Sequence, residues 1–206
     1  MNREPIVYIV DDDPAYSESM SVLLISIGLK SKCFSSGLDY LNQFDSQAPG
    51  VLLLDVRMPN ISGLSLQERL SKEPLCVPII ILTGHADVPT AIRAMQRGAA
   101  GFFQKTLSEM ELCDAIQKAV AEDAKHRAEH AKHAKILARM DRLTPAEKQV
   151  LELILVGRPN KTIASNLGVS RRAVEDRRSR IMQKLEVDSL PELVRLASDA
   201  GMGPQE

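Results

Sequence analysis

The sequence has no tryptophan, and aromatic residues make up only 3% of its 206 residues. Proteins that bind single-stranded nucleic acid without sequence preference stack the bases on aromatic side chains, so this composition argues against such a platform. No apolar run approaches the roughly 20 residues that cross a membrane, and the first residues lead into a predicted strand rather than a secretory signal. We therefore expect a cytoplasmic protein with no membrane attachment.

Cysteine is also scarce, with only three residues, Cys33, Cys76 and Cys113. Their number is odd and they lie far apart within apolar segments, whereas disulfide frameworks and zinc sites require cysteines in pairs or clusters. We expect all three to be reduced thiols in the core, because a free cysteine behaves as a small apolar residue.

The net charge is only −1, but the charged residues are distributed unevenly. Residues 1–118 contain ten lysines and arginines against fourteen aspartates and glutamates, whereas residues 157–184 contain eight against two. An acidic first part and a locally basic later part indicate two domains with different tasks. A chain of this length is sufficient for two small domains, each with its own core.

Short apolar runs alternate with helical patterns over the first half of the chain. Because these runs are too short for ordinary helices, they predict strands that are buried in a parallel sheet. Five strands alternating with five helices predict right-handed crossovers and a doubly wound parallel sheet of the α/β class. The predicted strands cover residues 6–10, 30–34, 51–54, 77–82 and 100–104.

The last helix of this first domain is predicted to begin near Ser108, and its pattern continues without glycine or proline to residue 140. Alanine and charged residues of high helix propensity dominate this stretch, so we interpret its second part as a helical linker. The predicted organisation is a first domain at residues 1–122, a linker at 123–142 and an all-α second domain at 143–206.

Three histidines in the linker, His126, His130 and His133, share one face of the predicted helix. Their spacing is compatible with a metal site, but no carboxylate or cysteine constellation converges on them. We therefore favour a solvated face, which would titrate near neutral pH, over a metal centre.

A new helical pattern begins at Thr144, which is predicted to be an N-cap, with Pro145 in the first turn and Glu147 as the capping-box partner. A second short helix follows Asn160, which we interpret as its N-cap. A tight turn then leads into a third helix rich in arginine, and a short fourth helix follows. Two short helices joined by a tight turn, the second of them basic, are typical of a helix-turn-helix that binds double-stranded DNA.

Polar residues end the predicted strands of the first domain: Asp11 and Asp12 follow the first strand, and Asp55, Thr83 and Lys105 end or follow later ones. The carboxyl ends of parallel strands form the edge where ligands bind in α/β proteins. Three carboxylates there would repel one another without a cation, and Mg²⁺ prefers carboxylate oxygens while leaving positions open for a phosphate. The set therefore offers a carboxylate nucleophile, a metal site, and lysine and threonine contacts for a phosphoryl group.

The segments Val-Asp-Asp-Asp, Leu-Asp-Val-Arg-Met-Pro, Thr-Gly-His-Ala-Asp-Val and Phe-Phe-Gln-Lys resemble the receiver domain of two-component response regulators. This resemblance implies a flavodoxin-like fold and phosphorylation of Asp55 by a sensor histidine kinase. It also implies that Asp12, Asp55 and the backbone carbonyl of Arg57 hold Mg²⁺, with Asp11 helping through water.

The same resemblance implies that Thr83 and Lys105 bind the phosphoryl oxygens and that Thr83 and Phe102 take part in switching. The family usually has a cis proline after this lysine, whereas Thr106 follows Lys105 here. A cis bond before any other residue costs about 3–4 kcal/mol, so we expect either a trans bond with a reshaped loop or a strained loop.

Phosphorylation is implied to promote a homodimer through residues 88–118.

Residues 143–199 are similar to the LuxR/FixJ-type DNA-binding domain, whose third helix enters the major groove. The apolar residues of this third helix, Val174, Ile181 and Leu185, are predicted to pack inward. By the resemblance, the base-reading positions match Glu175, Asp176 and Ser179. Two of these are acidic, and carboxylates accept hydrogen bonds from cytosine but repel phosphates. The predicted DNA-binding residues are Lys161, Arg171, Arg172, Glu175, Asp176, Arg178 and Ser179.

The sequence therefore predicts a transcription regulator that is a phosphoacceptor rather than an enzyme, apart from slow self-dephosphorylation. Two alternatives stay open. One is a DNA-binding or scaffold protein whose receiver no longer switches, and Thr106 motivates it. The other is an aspartyl-phosphate hydrolase, although no substrate cap is evident and the candidate nucleophile lies on the third strand.

Overall fold

The computed structural model describes residues 3–73, 75–85, 87–106 and 108–202. It divides the chain into two compact units, of which the first ends at Ala128 and the second begins at Glu129. The domain boundaries at residues 122 and 143, and the linker between them, stay predictions.

Within the described residues, five parallel strands form the sheet of the first unit: β1 (Ile6–Val10), β2 (Lys30–Phe34), β3 (Gly50–Asp55), β4 (Ile79–Thr83) and β5 (Gly101–Gln104). Their order is β2-β1-β3-β4-β5, with β3 at the centre. The predicted doubly wound parallel sheet is therefore confirmed. β4 begins two residues later than predicted, since Pro78 has no N–H to donate to a neighbouring strand.

The helices described in the first unit are α1 (Pro14–Ser26), α2 (Gly37–Asn42), α3 (Gly63–Leu70), α4 (Val88–Gln96) and α5 (Glu109–Met140), which continues past Ala128. Helices α1 to α4 each begin after a side chain that accepts a backbone N–H, namely Asp13, Ser36, Ser62 and Asp87. Alternate residues of β3 enter two apolar clusters, so the helices bury both faces of the sheet.

A buried ion pair joins α5 to the amino end of β3. Asp123 is 3% exposed, and its carboxylate accepts the N–H of Gly50 at 2.9 Å. Arg127, one turn further along α5, donates through Nε to both carboxylate oxygens of Asp123 at 2.8 and 3.0 Å. Its Nη1 also donates to the carbonyl of Ser46 at 2.8 Å. These bonds hold the start of the central strand, whose other end carries Asp55.

The second unit contains, in its described part, the helices α6 (Pro145–Leu155), α7 (Asn160–Leu167), α8 (Arg171–Leu185) and α9 (Leu190–Asp199). The predicted capping box is present, because Thr144 N–H donates to Glu147 and Glu147 N–H donates to the Thr144 hydroxyl. The side chains of Val174, Ile181 and Leu185 on α8 are each 0% exposed, which confirms that they pack inward.

The prediction that Asn160 caps α7 is wrong. The cap position is Pro159, which has no side-chain acceptor, and Asn160 is the first residue of the helix. The Oδ1 atom of Asn160 instead accepts a hydrogen bond of 3.0 Å from Nη1 of Arg178 on α8. The Asn160 side chain therefore bonds to a second helix instead of capping its own. Sequence spacing alone does not reveal this interaction.

The three cysteines are free, but the prediction that all of them lie in the core is wrong for Cys33, which is exposed. It lies on the edge strand β2, and its Sγ is 3.1 Å from the hydroxyl of Ser21. Cys76 and Cys113 are partly buried. In the part of the chain that the structure describes, no helix has both the length and the apolar character needed to cross a membrane.

Candidate functional site

The candidate site lies at the carboxyl edge of the sheet, where β1 and β3 end. Asp11 and Asp12 follow β1, and Asp55 is the last residue of β3. One carboxylate oxygen from each of the three lies within 4.8 Å of the others. Asp11 is 3% and Asp55 is 5% exposed, whereas Asp12 is exposed. The sheet topology therefore brings together the three carboxylates that the sequence places far apart.

Lys105 follows β5 and points into this cluster. Its Nζ lies 2.6 Å from Oδ2 of Asp11 and 3.4 Å from Oδ1 of Asp55. Its backbone N–H donates to the carbonyl of Thr83 at 2.9 Å, which fixes the start of the side chain. The site therefore has three carboxylates and one ammonium, with a net negative charge that favours a second cation.

Burial raises the pKa of Asp55 above its ordinary value, and the charge of Asp11 adds to this effect. Lys105 and the N–H of Arg57, which donates to Oδ2 of Asp55 at 2.9 Å, act in the opposite direction. Burial alone would lower the pKa of Lys105, but its contacts with Asp11 and Asp55 outweigh burial and raise it. The ammonium is therefore charged at neutral pH, as contact with a phosphoryl oxygen requires.

The donor set fits Mg²⁺, because three clustered carboxylates are hard oxygen ligands and the exposed Asp12 leaves one side open to water. The carboxylates of Asp12 and Asp55 would hold the ion, and the backbone carbonyl of Arg57 stays the third predicted ligand. Asp11 already accepts the N–H of Asp13 at 3.0 Å and the ammonium of Lys105, so it suits an indirect role.

Gly63, the first residue of α3, supports the site from behind. A Cβ at this position would lie 2.1 Å from the backbone oxygen of Asp55. The Gly63 N–H donates to the carbonyl of Val56 at 3.0 Å, so the two backbones are in direct contact. Only glycine fits here without moving the strand end that carries the candidate nucleophile.

The two predicted switch residues lie on the neighbouring strands β4 and β5. Thr83, at the end of β4, is 1% exposed, and its hydroxyl donates to the carbonyl of His85 at 3.2 Å. The N–H of His85 donates back to the same hydroxyl at 3.3 Å. Phe102 on β5 is half-buried against the apolar cluster. The Thr83 hydroxyl therefore fixes the start of the loop after β4.

The helix α8 presents a polar surface to solvent on the side opposite its buried residues. The predicted DNA contacts Arg171, Arg172, Glu175, Asp176 and Ser179 are all exposed. Arg178 is half-buried and bonded to Asn160, and Lys161 on α7 is exposed. The acidic pair is therefore presented together with the arginines on one accessible helix.

A second contact fixes α8 from its other end. Nζ of Lys184 lies 2.7 Å from Oε2 of Glu147, which is 3% exposed and also accepts the Thr144 N–H. Although burial alone would raise the pKa of Glu147, the bonds from Lys184 and Thr144 lower it below its ordinary value. Lys184 therefore anchors the helix to the buried Glu147.

Comparison with known proteins agrees with both halves of this arrangement. Residues 7–117 match the family described as "Response regulator receiver domain", and residues 141–197 match "Bacterial regulatory proteins, luxR family". The chain belongs to the response regulators. It is a two-component transcription regulator with a receiver domain and a LuxR-type DNA-binding domain.

Relatives of this response regulator match along nearly its whole length. It is 40% identical to the response regulator protein TmoT of Ectopseudomonas mendocina, covering 95% of this chain and 89% of that protein. It is 38% identical to the transcriptional regulatory protein FixJ of Azorhizobium caulinodans, covering 97% and 95%. Among solved structures, the response regulator StyR is 37% identical with a TM-score of 0.88, covering 95% and 98%.

The response regulator carries Thr106 where the family usually has proline, and the peptide bond between Lys105 and Thr106 is trans. Of the expected alternatives, the trans bond is the one found, and the reshaping of the loop stays a prediction. Lys105 nevertheless reaches Asp11 and Asp55, so the missing proline does not remove the lysine from the site.

Lys105 has one further neighbour, which the sequence motifs do not indicate. The ring of Tyr16, in the first turns of α1, lies with its centroid 4.5 Å from Nζ of Lys105. Burial raises the pKa of Tyr16 to about 12, and the charges of Asp11 and Asp55 contribute to this shift. By spacing alone, Tyr16 is one apolar position of α1. Its place one turn after the Asp11-Asp12 pair is the signal that indicates a role near the site.

Proposed function

We propose that Asp55 accepts a phosphoryl group from a sensor histidine kinase in a Mg²⁺-dependent reaction. Phosphorylation in turn controls dimerisation and sequence-specific binding to double-stranded DNA. The observation that carries the proposal is the meeting of Asp11, Asp12, Asp55 and Lys105 at the carboxyl edge of the sheet. The chain acts as a phosphoacceptor rather than an enzyme, apart from slow hydrolysis of its own acyl phosphate, and works in the cytoplasm on the bacterial chromosome.

The chemistry of the proposal follows from the side chains. An oxygen of Asp55 forms a bond to phosphorus while the bond between phosphorus and the kinase histidine breaks, and the histidine leaves with the bonding electrons. When bound, Mg²⁺ supplies positive charge to the phosphoryl oxygens and the carboxylates. Lys105 leaves Asp11 for a phosphoryl oxygen, and the Thr83 hydroxyl leaves His85 for another. The two small movements would link phosphorylation to the loop after β4.

The function as a whole is tested by measuring the affinity of the full chain for a DNA duplex selected from a random pool. We expect beryllofluoride with Mg²⁺, which mimics an aspartyl phosphate, to tighten binding, and we expect no change with Mg²⁺ alone. Equal affinity in both states would mean that the receiver does not control the DNA-binding domain. Continuous turnover of an added phosphomonoester would instead favour the hydrolase alternative.

Dimerisation is proposed to use α4 and the start of α5. Three apolar side chains on α4 are largely exposed, Val88 at 72%, Ile92 at 50% and Met95 at 51%, and Met110 on α5 is 74% exposed. An exposed apolar patch of this kind fits a symmetric interface between two copies.

We expect Ile92→Lys to keep the beryllofluoride-bound chain monomeric, because two like charges would oppose each other across the apolar surface. Light scattering of the wild type and the variant, each with and without beryllofluoride, measures this effect. Val22→Lys is the matched control, since Val22 is an apolar residue of α1 that is 64% exposed and is not among the residues proposed for the interface. A dimer of undiminished stability in Ile92→Lys would place the interface elsewhere.

For DNA binding, we expect Arg172→Ala to weaken the affinity for all duplexes and to reduce the slope of affinity against salt by about one unit, as loss of one phosphate contact requires. Arg195→Ala, an exposed arginine on α9, is the control. Arg171 and Arg178 also stay predicted DNA contacts, whose removal should weaken binding. An unchanged salt slope in Arg172→Ala would remove this arginine from the interface.

The Glu175→Ala variant tests whether the Glu175 carboxylate reads a base or only repels the DNA phosphates. If its carboxylate accepts a hydrogen bond from cytosine, Glu175→Ala relaxes the preference for the selected site over random duplex. If the carboxylate only repels phosphates, the variant tightens binding to both duplexes by the same factor. Titrations of the selected and random duplexes over a salt series separate these two results, and we expect the loss of preference.

A further inference from the structure

The ammonium of Lys105 has contacts on three sides. Two carboxylates, Asp11 at 2.6 Å and Asp55 at 3.4 Å, cover two of them. The third is covered by the face of Tyr16, with 4.5 Å between Nζ and the ring centroid. An ammonium within about 6 Å of an aromatic ring centroid is attracted by the negative face of the ring. The side chain of Lys105 is only 18% exposed, so water screens this attraction weakly.

The position of the Tyr16 ring is fixed by the structure around it. Asp13, the N-cap of α1, accepts the backbone N–H of Ala15 at 3.0 Å and of Tyr16 at 3.2 Å. The ring is half-buried and packs against the apolar cluster formed by α1, α5 and one face of the sheet. The aromatic face is therefore held in place by α1, whichever groups Lys105 contacts.

Lys105 itself has few other restraints. Its backbone N–H is bonded to the carbonyl of Thr83, but the following residue is Thr106, whose backbone is less restricted than that of proline. A lysine side chain has several rotatable bonds, and losing their freedom opposes any fixed position of the ammonium. A fixed aromatic face offsets part of that loss and keeps Nζ near the oxygens of Asp55.

We propose that Tyr16 is a positioning residue for phosphoryl transfer, which acts by holding the ammonium of Lys105 beside Asp55. The proposal rests on the proposed phosphorylation of Asp55 and adds a residue from α1 to that site. The ring contributes through its aromatic face, so its hydroxyl group is dispensable. Phenylalanine at position 16 should therefore preserve the positioning of Lys105, whereas aliphatic residues of similar size should not.

The test compares Tyr16→Phe, Tyr16→Leu and Tyr16→Met in the full chain. The measurement is the initial rate of labelling by acetyl phosphate with Mg²⁺, followed by intact-mass spectrometry. We expect Tyr16→Phe to label at the wild-type rate. Tyr16→Leu and Tyr16→Met should label roughly three- to tenfold more slowly, in the range that a partly buried cation–π contact provides. Labelling of both aliphatic variants at the wild-type rate overturns the proposal.

A second set of variants separates positioning from a general structural effect. In a Lys105→Met background, Tyr16→Leu should produce no further decrease in the labelling rate, because the ring then has no ammonium to hold. A decrease by the same factor with and without Lys105 shows that Tyr16 acts in another way and overturns the proposal. The comparison also remains valid if Tyr16→Leu lowers stability, since that loss would appear in both backgrounds.

A structural readout independent of phosphorylation completes the test. The ring face should shift the NMR signals of the Lys105 Cε protons upfield in the wild type and in Tyr16→Phe, but not in Tyr16→Leu. An unshifted signal in the wild type overturns the contact. If the wild-type chain cannot be labelled at all, the proposed function fails and this role fails with it. If the wild type labels normally and Tyr16 is irrelevant to the rate, only the role of Tyr16 fails.

Discussion

We expect the Asp55→Asn variant to take up no phosphoryl group from acetyl phosphate under conditions that label the wild-type chain. The amide is a poor nucleophile, and it cannot supply the negative oxygen that attacks phosphorus. Burial and the charge of Asp11 raise the pKa of Asp55, whereas the ammonium of Lys105 and the N–H of Arg57 favour the carboxylate form that attacks phosphorus. Intact-mass spectrometry after incubation with acetyl phosphate and Mg²⁺ measures the uptake directly.

Asp13→Asn is the matched control for this variant. Asp13 lies next to the acidic cluster, but its carboxylate caps α1 by accepting two backbone N–H groups. Asparagine is as good an N-cap as aspartate, so this substitution changes one nearby charge without destabilising the helix. We expect labelling close to the wild-type level. Equal labelling of Asp55→Asn and the wild type would show that another carboxylate is the acceptor.

Asp12→Ala addresses the metal separately. Its exposed carboxylate is one of the two side chains proposed to hold Mg²⁺, and its removal leaves the buried residues of the sheet unchanged. We expect weaker Mg²⁺ binding in a titration followed by tyrosine fluorescence, with an unaltered fold by circular dichroism. An Mg²⁺ affinity equal to that of the wild type would exclude Asp12 as a ligand.

The part of the site that could be predicted from the sequence is the set of residues at the carboxyl ends of the strands. Asp11, Asp55 and Lys105 each end or follow an apolar run, and parallel strands bring such ends to one edge. The apolar patterns also gave the buried face of α8, because residues three to four positions apart lie on one side of a helix. These inferences depend on periodicity, which a single sequence displays.

The features that could not be predicted depend on contacts between distant segments. Asn160 has the residue type of an N-cap, but Arg178 on another helix takes its side chain. Lys184 has the charge of a phosphate contact, but the buried Glu147 holds it. Tyr16 fits the apolar stripe of α1, and only the structure places Lys105 over its ring. In each case the residue type permits two partners, and the tertiary fold selects one.

Asp123 is a further residue of this kind, and we expect its replacement to have the largest effect on stability. It is the first residue of the predicted linker, whereas in the structure its side chain is only 3% exposed and contacts Gly50 and Arg127. Asp123→Ala leaves a largely buried guanidinium and a backbone N–H without their acceptor. Breaking a buried ion pair by removing one partner costs about 3–5 kcal/mol, and we expect a loss of roughly 3 kcal/mol in the free energy of unfolding.

The measurement can be confined to the first unit. The chain contains no tryptophan, and its three tyrosines, Tyr8, Tyr16 and Tyr40, all precede Ala128. Tyrosine fluorescence in a urea titration therefore follows the unfolding of this unit alone, which avoids treating two units as one transition. A lower midpoint with an unchanged slope would report lost stability rather than a changed unfolded state.

Glu122→Ala is the control for Asp123→Ala, because Glu122 is the exposed neighbour on the same helix. A second comparison uses Asp123→Leu with Arg127→Leu, in which both charges are removed together. Since no unpaired charge then remains, the double variant should be more stable than Asp123→Ala even though Gly50 still lacks an acceptor. If Asp123→Ala and Glu122→Ala unfold at the same urea concentration, the ion pair contributes nothing. The start of β3 would then be held by its strand neighbours alone.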